Sequence, residues 1–248
     1  MRPRPVQVRW LYLKELRQLR RSRTALLTGA FLALMLVVIA PMSQLTAAQP
    51  GSGRPLPVPA SLPGLAGLHG ARDIFLYLSL PVFFVLGGLL TPSVTANFTV
   101  VSERERRTLE LLVSLPVSVA DILYAKLAAN LTAAAATLLP LFAIDAVGML
   151  MLTRVGPAYV ASALLLLLAA LAASVGVSLL LSLLARDFRT SNNLGGAFVI
   201  PTMLLTVAVE VLVPGLGRFL VLSSLMLLLG AGAFLAGARW LTFERYLA

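Results

Sequence analysis

Six long apolar runs divide the chain: Ala25 to Leu45, Ile74 to Val101, Ala120 to Leu152, Ala158 to Leu184, Leu194 to Val213 and Phe219 to Ala238. Each reaches the roughly 20 residues needed to cross a hydrocarbon core about 30 Å thick. Apolar residues follow one another without the every-second-position alternation of a barrel strand. Lipid offers no partner to an unpaired backbone group, so each run is expected as a helix. The expected fold class is therefore all-α, a polytopic membrane protein with six transmembrane helices in one domain over residues 1–248. Pro81, Pro140 and Pro201 fall inside runs and are expected to kink them or loosen their hydrogen bonding.

The segments between runs are short. In residues 1–24, "VRWLYLKELRQLRRSR" mixes apolar and basic residues with imperfect helical periodicity. That suits a helix lying in the headgroup layer with its arginines snorkelling outward. A basic tail that only sets topology fits equally well. The run that begins at Ala25 is longer than a signal-peptide core of roughly 7 to 15 residues, so it is read as the first transmembrane helix. Residues 48–73 alternate prolines and glycines, as expected of an extended outer loop. Gly64, Gly67 and Gly70 recur there at three-residue spacing, but no helix start with a lysine follows in the frame of a phosphate loop. Small residues four apart, Ala169 with Ala173, Ser174 with Ser178 and Ser182, Gly232 with Ala236, and Ala233 with Gly237, are expected to let helices pack closely.

Composition agrees with a membrane protein: of 248 residues 59% are hydrophobic and only 12% charged, about half the share of an ordinary soluble domain, roughly 25%. A net charge of +10 alone could indicate nucleic acid, but the placement of that charge indicates topology. Only Arg54, Arg72, Arg154 and Arg218 fall in loops on one side of the alternating spans, and the other sixteen basic residues fall on the opposite side. The positive-inside rule then places both termini in the cytoplasm and the chain in the inner membrane. Without cysteine there is no disulfide or thiol chemistry. The lone His69 sits in the glycine-rich loop, and no cluster has metal-ligand spacing, which argues against an intramembrane enzyme.

One stretch breaks the apolar pattern: "VSERERRTLELLVSLPVSVADILYAK", Val101 to Lys126. Ser102 with Glu105 fits a capping box, so a helix is expected to start at Glu103 and stop at Pro116; Ser118 with Asp121 fits a second box opening the third span. Glu103 with Arg107, and Arg106 with Glu110, stand four apart and can pair along one helix surface. The acidic residues are surplus to topology, which depends on Lys and Arg. Two readings stay open: a solvated helix on the membrane face, or a docking surface on which opposed charges fix a soluble partner's register.

Within the spans lie two carboxylates, Asp145 and Glu210. Ionisable groups in lipid are costly and mark a functional path or a buried partner. Thr202, Thr206 and Glu210 form one stripe, and Asn130 and Thr137 lie on the face of the third span that leads towards Asp145. These six residues are candidates for a translocation path. The alternative is that the threonines bond carbonyls of their own helices and the carboxylates reach the outer headgroups.

The charged stretch resembles the segment after the second span in ABC-2-type transporter permeases, with Thr108, Leu109, Glu110, Leu111, Leu112, Pro116 and Lys126 matching. The opening "KELRQLRRSRTALL" and the six-span plan with both ends inside resemble the family too. Arg107 and Ala125 stand where that family usually has glycine. The resemblance implies that residues 102–116 form a coupling helix docking on a nucleotide-binding ATPase subunit through Glu103, Arg104, Glu105, Arg106, Arg107, Thr108, Leu109 and Glu110. "ARDFRTSNN" is similar to a second contact, at Arg186, Asp187 and Arg189. It further implies a second permease, a copy or a paralogue, and export as the direction. The only lysines are Lys14, after Leu13, and Lys126, after Ala125, so no Walker loop exists here. This chain is accordingly expected to be non-catalytic and to hold no cofactor, with ATP and Mg bound by the partner subunit. An ATP-independent secondary transporter or ion channel is the alternative, since a six-helix bundle with two buried acids could be ion-coupled.

Overall fold

The computed structural model describes residues 5–47, 62–65, 68, 70–105, 119–153, 155–184 and 188–240. Among them there is no strand, and six helices are long and apolar enough to cross a membrane. Helix α1 (Pro5–Arg21) breaks at Ser22. The first span is α2 (Arg23–Ala33), a π-helical stretch Leu34–Ile39 and α3 (Ala40–Ala47). The second is α4 (Ala71–Ile74), a π-helical stretch Phe75–Ser79 and α5 (Leu80–Glu105). The remaining spans are α6 (Val119–Thr153), α7 (Pro157–Leu184), α8 (Phe188–Leu212) and α9 (Gly217–Trp240).

Proline explains both π-helical stretches. Each ends shortly before one, at Pro41 and Pro81. A proline has no N–H to donate, and its ring crowds the carbonyl four residues back; a widened turn relieves the clash. Pro92, Pro140 and Pro201 are instead carried inside α-helices.

Helix α7 is the centre. Two-thirds of its span is buried, against about a quarter for most of the others, and α5 and α9 pack along it on either side. In lipid no hydrophobic drive separates helix from solvent, so close van der Waals contact between backbones has to supply the association. Small residues permit it. A Cβ on Gly230 of α9 would lie 2.7 Å from Ala173 Cα, and one on Gly176 of α7 would lie 2.6 Å from the Gly230 carbonyl oxygen. On the other side a Cβ on Gly88 of α5 would lie 2.7 Å from Ala170 Cβ. Of the expected small-residue pairs, Ala173 is in this contact, whereas Gly232 faces open space. The sixth span presents Gly230 instead, two residues earlier.

Helix α1 is packed against the bundle. Leu11, Glu15 and Leu19, spaced by four, are buried against the N-terminal half of α6, while Trp10, Arg17 and Arg20 are exposed. The expected helix start at Glu103 is not a break: α5 continues unbroken through Ser102 to Glu105. The helix of the second span therefore runs directly into the charged stretch, and the capping signal of Ser102 is overridden by a helix already under way. The third span opens at Val119, where the second capping box places it, with Asp121 in its first turn.

Candidate functional site

Of the expected docking residues, Glu103, Arg104 and Glu105 form the last turn of α5, and Arg189 lies in the first turn of α8. Arg106, Arg107, Thr108, Leu109, Glu110, Arg186 and Asp187 lie outside the described residues. The end of α5 and the start of α8 fall on the face that carries the N-terminus, as successive spans alternate.

Just inside that face, α1 and α6 are joined by charge. Lys126 Nζ lies 3.1 Å from Glu15 Oε2, with both side chains almost fully buried, and Lys14 Nζ lies 3.4 Å from Glu15 Oε1. A buried carboxylate and ammonium are tolerable only when they satisfy one another. One turn further in, Asn130 Nδ2 donates to the Lys126 carbonyl at 3.0 Å, and Tyr12 Oη donates to Thr132 Oγ1 at 3.2 Å. Asn130 thus bonds within its own helix, and its Oδ1 meets no donor among the described residues. Sequence reasoning used Lys126 for topology and family resemblance and gave Glu15 no role; the sign available was an acid spaced by four from Leu11 and Leu19 on the helix's apolar face.

The distal half holds a second polar cluster, built around Pro81. A residue at 81 would serve the carbonyl of Tyr77 in α register or of Leu76 in π register, and proline serves neither. Other helices supply the donors. Arg218, at the start of α9, donates from Nη1 to the Tyr77 carbonyl at 2.6 Å, and the Tyr159 hydroxyl of α7 donates to the Leu76 carbonyl. Arg218 also donates from Nη2 to the Gly64 carbonyl at 2.8 Å and from Nε to the Gly215 carbonyl at 3.0 Å, with its guanidinium 5.2 Å from the Tyr77 ring centre. Gly215 turns the chain between α8 and α9 at φ +62, a conformation that favours glycine.

Gly64 is consequently held from two sides, since its own N–H donates to the Val211 carbonyl near the end of α8 at 2.9 Å. A Cβ there would overlap the Glu210 and Val211 carbonyl oxygens, so only glycine fits. The glycine-rich outer loop is strapped over the distal end of the bundle at this point.

The intramembrane candidates are buried: Thr202, Thr206 and Glu210 face the bundle, as does Asp145. The hydroxyls of Thr137, Thr202 and Thr206 donate to the carbonyls of Ala133, Phe198 and Thr202, so the threonines satisfy themselves within their own helices. Asp145 and Glu210 are 0% and 1% exposed, and among the described residues no donor meets any of their four oxygens. Both lie within electrostatic reach of Tyr159, and Glu210 also of Arg218.

A family model described as ABC-2 family transporter protein matches residues 43–231, from the distal end of the first span to the middle of the last. No curated protein and no solved structure matches the chain.

Proposed function

Because the chain belongs to the ABC-2 family of transporter proteins, and is thereby a multi-pass permease of an ABC transporter, we propose that it exports its substrate using ATP hydrolysed by a separate subunit. The observation that carries this reading is the family match across spans that leave a charged, helical continuation of α5 on the N-terminal face. In this reading the chain sits in the inner membrane with both termini cytoplasmic and is non-catalytic. ATP and Mg are bound by a nucleotide-binding partner that grips residues 102–116 and the region around Arg186, Asp187 and Arg189. A second permease, a copy or a paralogue, completes the translocation unit. Asp145 and Glu210 line or gate the route within each chain.

The support is physical. The charged stretch joins α5 to α6 in sequence, so a load on it would reach two spans at once. Mixed charge fixes the register of a protein partner better than it serves topology. The test is purification of the tagged chain from its native membrane in mild detergent, beside a Glu105→Lys/Glu110→Lys variant. Recovery of an ATPase with the first and its loss with the second is the expected result. A chain that comes out alone, or an ATPase retained equally by the variant, refutes the docking reading and favours an ion-coupled carrier.

A further inference from the structure

At the elbow between α1 and α2, Arg17, Arg20, Arg21 and Arg23 surround one recess of about 410 Å³, and among the described residues they alone line it. All four are exposed, and among the described residues none forms an ion pair. The acid of α1 does not offset them. Glu15 is buried on the opposite side of the helix, with Lys126 and Lys14 as its partners. The helix breaks at Ser22, whose hydroxyl donates to the Leu19 carbonyl at 2.8 Å, and the break brings Arg23 round to face the three arginines that precede it.

We infer that this recess binds the phosphate headgroups of anionic phospholipids. Its position supplies the occupant: the first span begins at Arg23, so the recess opens at the boundary between headgroups and hydrocarbon, on whichever side that face lies. Topology alone needs basic residues near a span and does not need them to converge. Guanidinium groups suit phosphate because their planar donor forks match its oxygens, and the volume accommodates more than a single phosphate. The same helix carries the buried pair that anchors α1 to α6, so lipid held here sits against the base of the third span. This inference does not depend on an ATPase partner.

The experiment uses the full chain in detergent, titrated with phosphatidylglycerol and with phosphatidylcholine and followed by native mass spectrometry. Each basic residue near a charged membrane surface contributes about fivefold in affinity. Phosphatidylglycerol should therefore bind far more tightly than phosphatidylcholine, single Arg→Gln changes should weaken it about fivefold each, and a fourfold Arg→Gln variant should bring the two lipids level. The single variants keep the test valid if the fourfold variant does not fold. A fourfold Arg→Lys variant should keep the preference for the anionic lipid with reduced affinity. Equal binding of the two lipids to the unaltered chain, or insensitivity to all the Arg→Gln changes, overturns the inference. Displacement of the lipid by equimolar inorganic phosphate also overturns it, by showing a site for a free anion.

Discussion

Replacing Arg218 with methionine tests how the distal end of the bundle is held. The substitution keeps an apolar stem of similar reach and leaves the carbonyls of Tyr77, Gly64 and Gly215 without their donor. A hydrogen bond from a charged group contributes about 1.5–3 kcal/mol, and an abandoned buried acceptor costs about 1–3 kcal/mol. Relief from burying a guanidinium offsets part of the loss. The net expectation is about 3–5 kcal/mol, a fall in melting temperature of roughly 10 °C. Since the chain has no cysteine, a single Leu65→Cys reporter reads the strap directly, and its labelling by a membrane-impermeant maleimide should quicken once Gly64 is released. A double-mutant cycle isolates the role of proline. Pro81→Ala restores an N–H that can serve the Tyr77 carbonyl, so Arg218→Met should cost about 1–2 kcal/mol less in that background. An unchanged melting temperature and labelling rate, or an equal cost in both backgrounds, refutes the account of why Arg218 is buried.

Three further outcomes are expected. Glu15→Gln or Lys126→Met should each lower the melting temperature of the detergent-solubilised chain by breaking the buried contact that joins α1 to α6, and the exchange Glu15→Lys with Lys126→Glu should recover part of it. Gly230→Leu should force α9 away from Ala173, lowering the melting temperature by more than Gly232→Leu, whose position is open. Asp145→Asn and Glu210→Gln should leave the melting temperature equal or higher while reducing ATP-driven transport in reconstituted vesicles; undiminished transport removes both from the route.

Number, type and approximate limits of the spans were legible because twenty-residue apolar runs have few alternatives in lipid. Pro81 was legible as a site of loosened hydrogen bonding, whereas Pro140 and Pro201 are carried inside continuous α-helices. Which residues would repair Pro81 was not legible, because the donors come from more than 70 residues away: Tyr159 for Leu76 and Arg218 for Tyr77. Counting Arg218 only as an outer-loop charge missed it for that reason. The capping box at Ser102 misled, since a local cap cannot stop a helix that enters with its hydrogen bonds already formed. Glycine spacing misled likewise at Gly232: the close approach depends on which face meets α7, and a four-residue period fits several faces equally.

Taken together, the buried polar groups fall into two classes. Arg218 has carbonyls, Tyr159 has the Leu76 carbonyl, Glu15 and Lys126 have each other, and Thr202 and Thr206 have their own helix. Each of these reduces the cost of burial with a bond that also fixes one element to another or closes a turn. Asp145 and Glu210 have no hydrogen-bond donor at any of their four oxygens among the described residues, a lack shared by Thr91 Oγ1 and Asn130 Oδ1, and a buried carboxyl without a donor is costly. In the proposed transport reading, these two carboxylates serve a step other than folding. That is why neutralising these two carboxylates should separate stability from transport, whereas changing Arg218 or Glu15 should lower both.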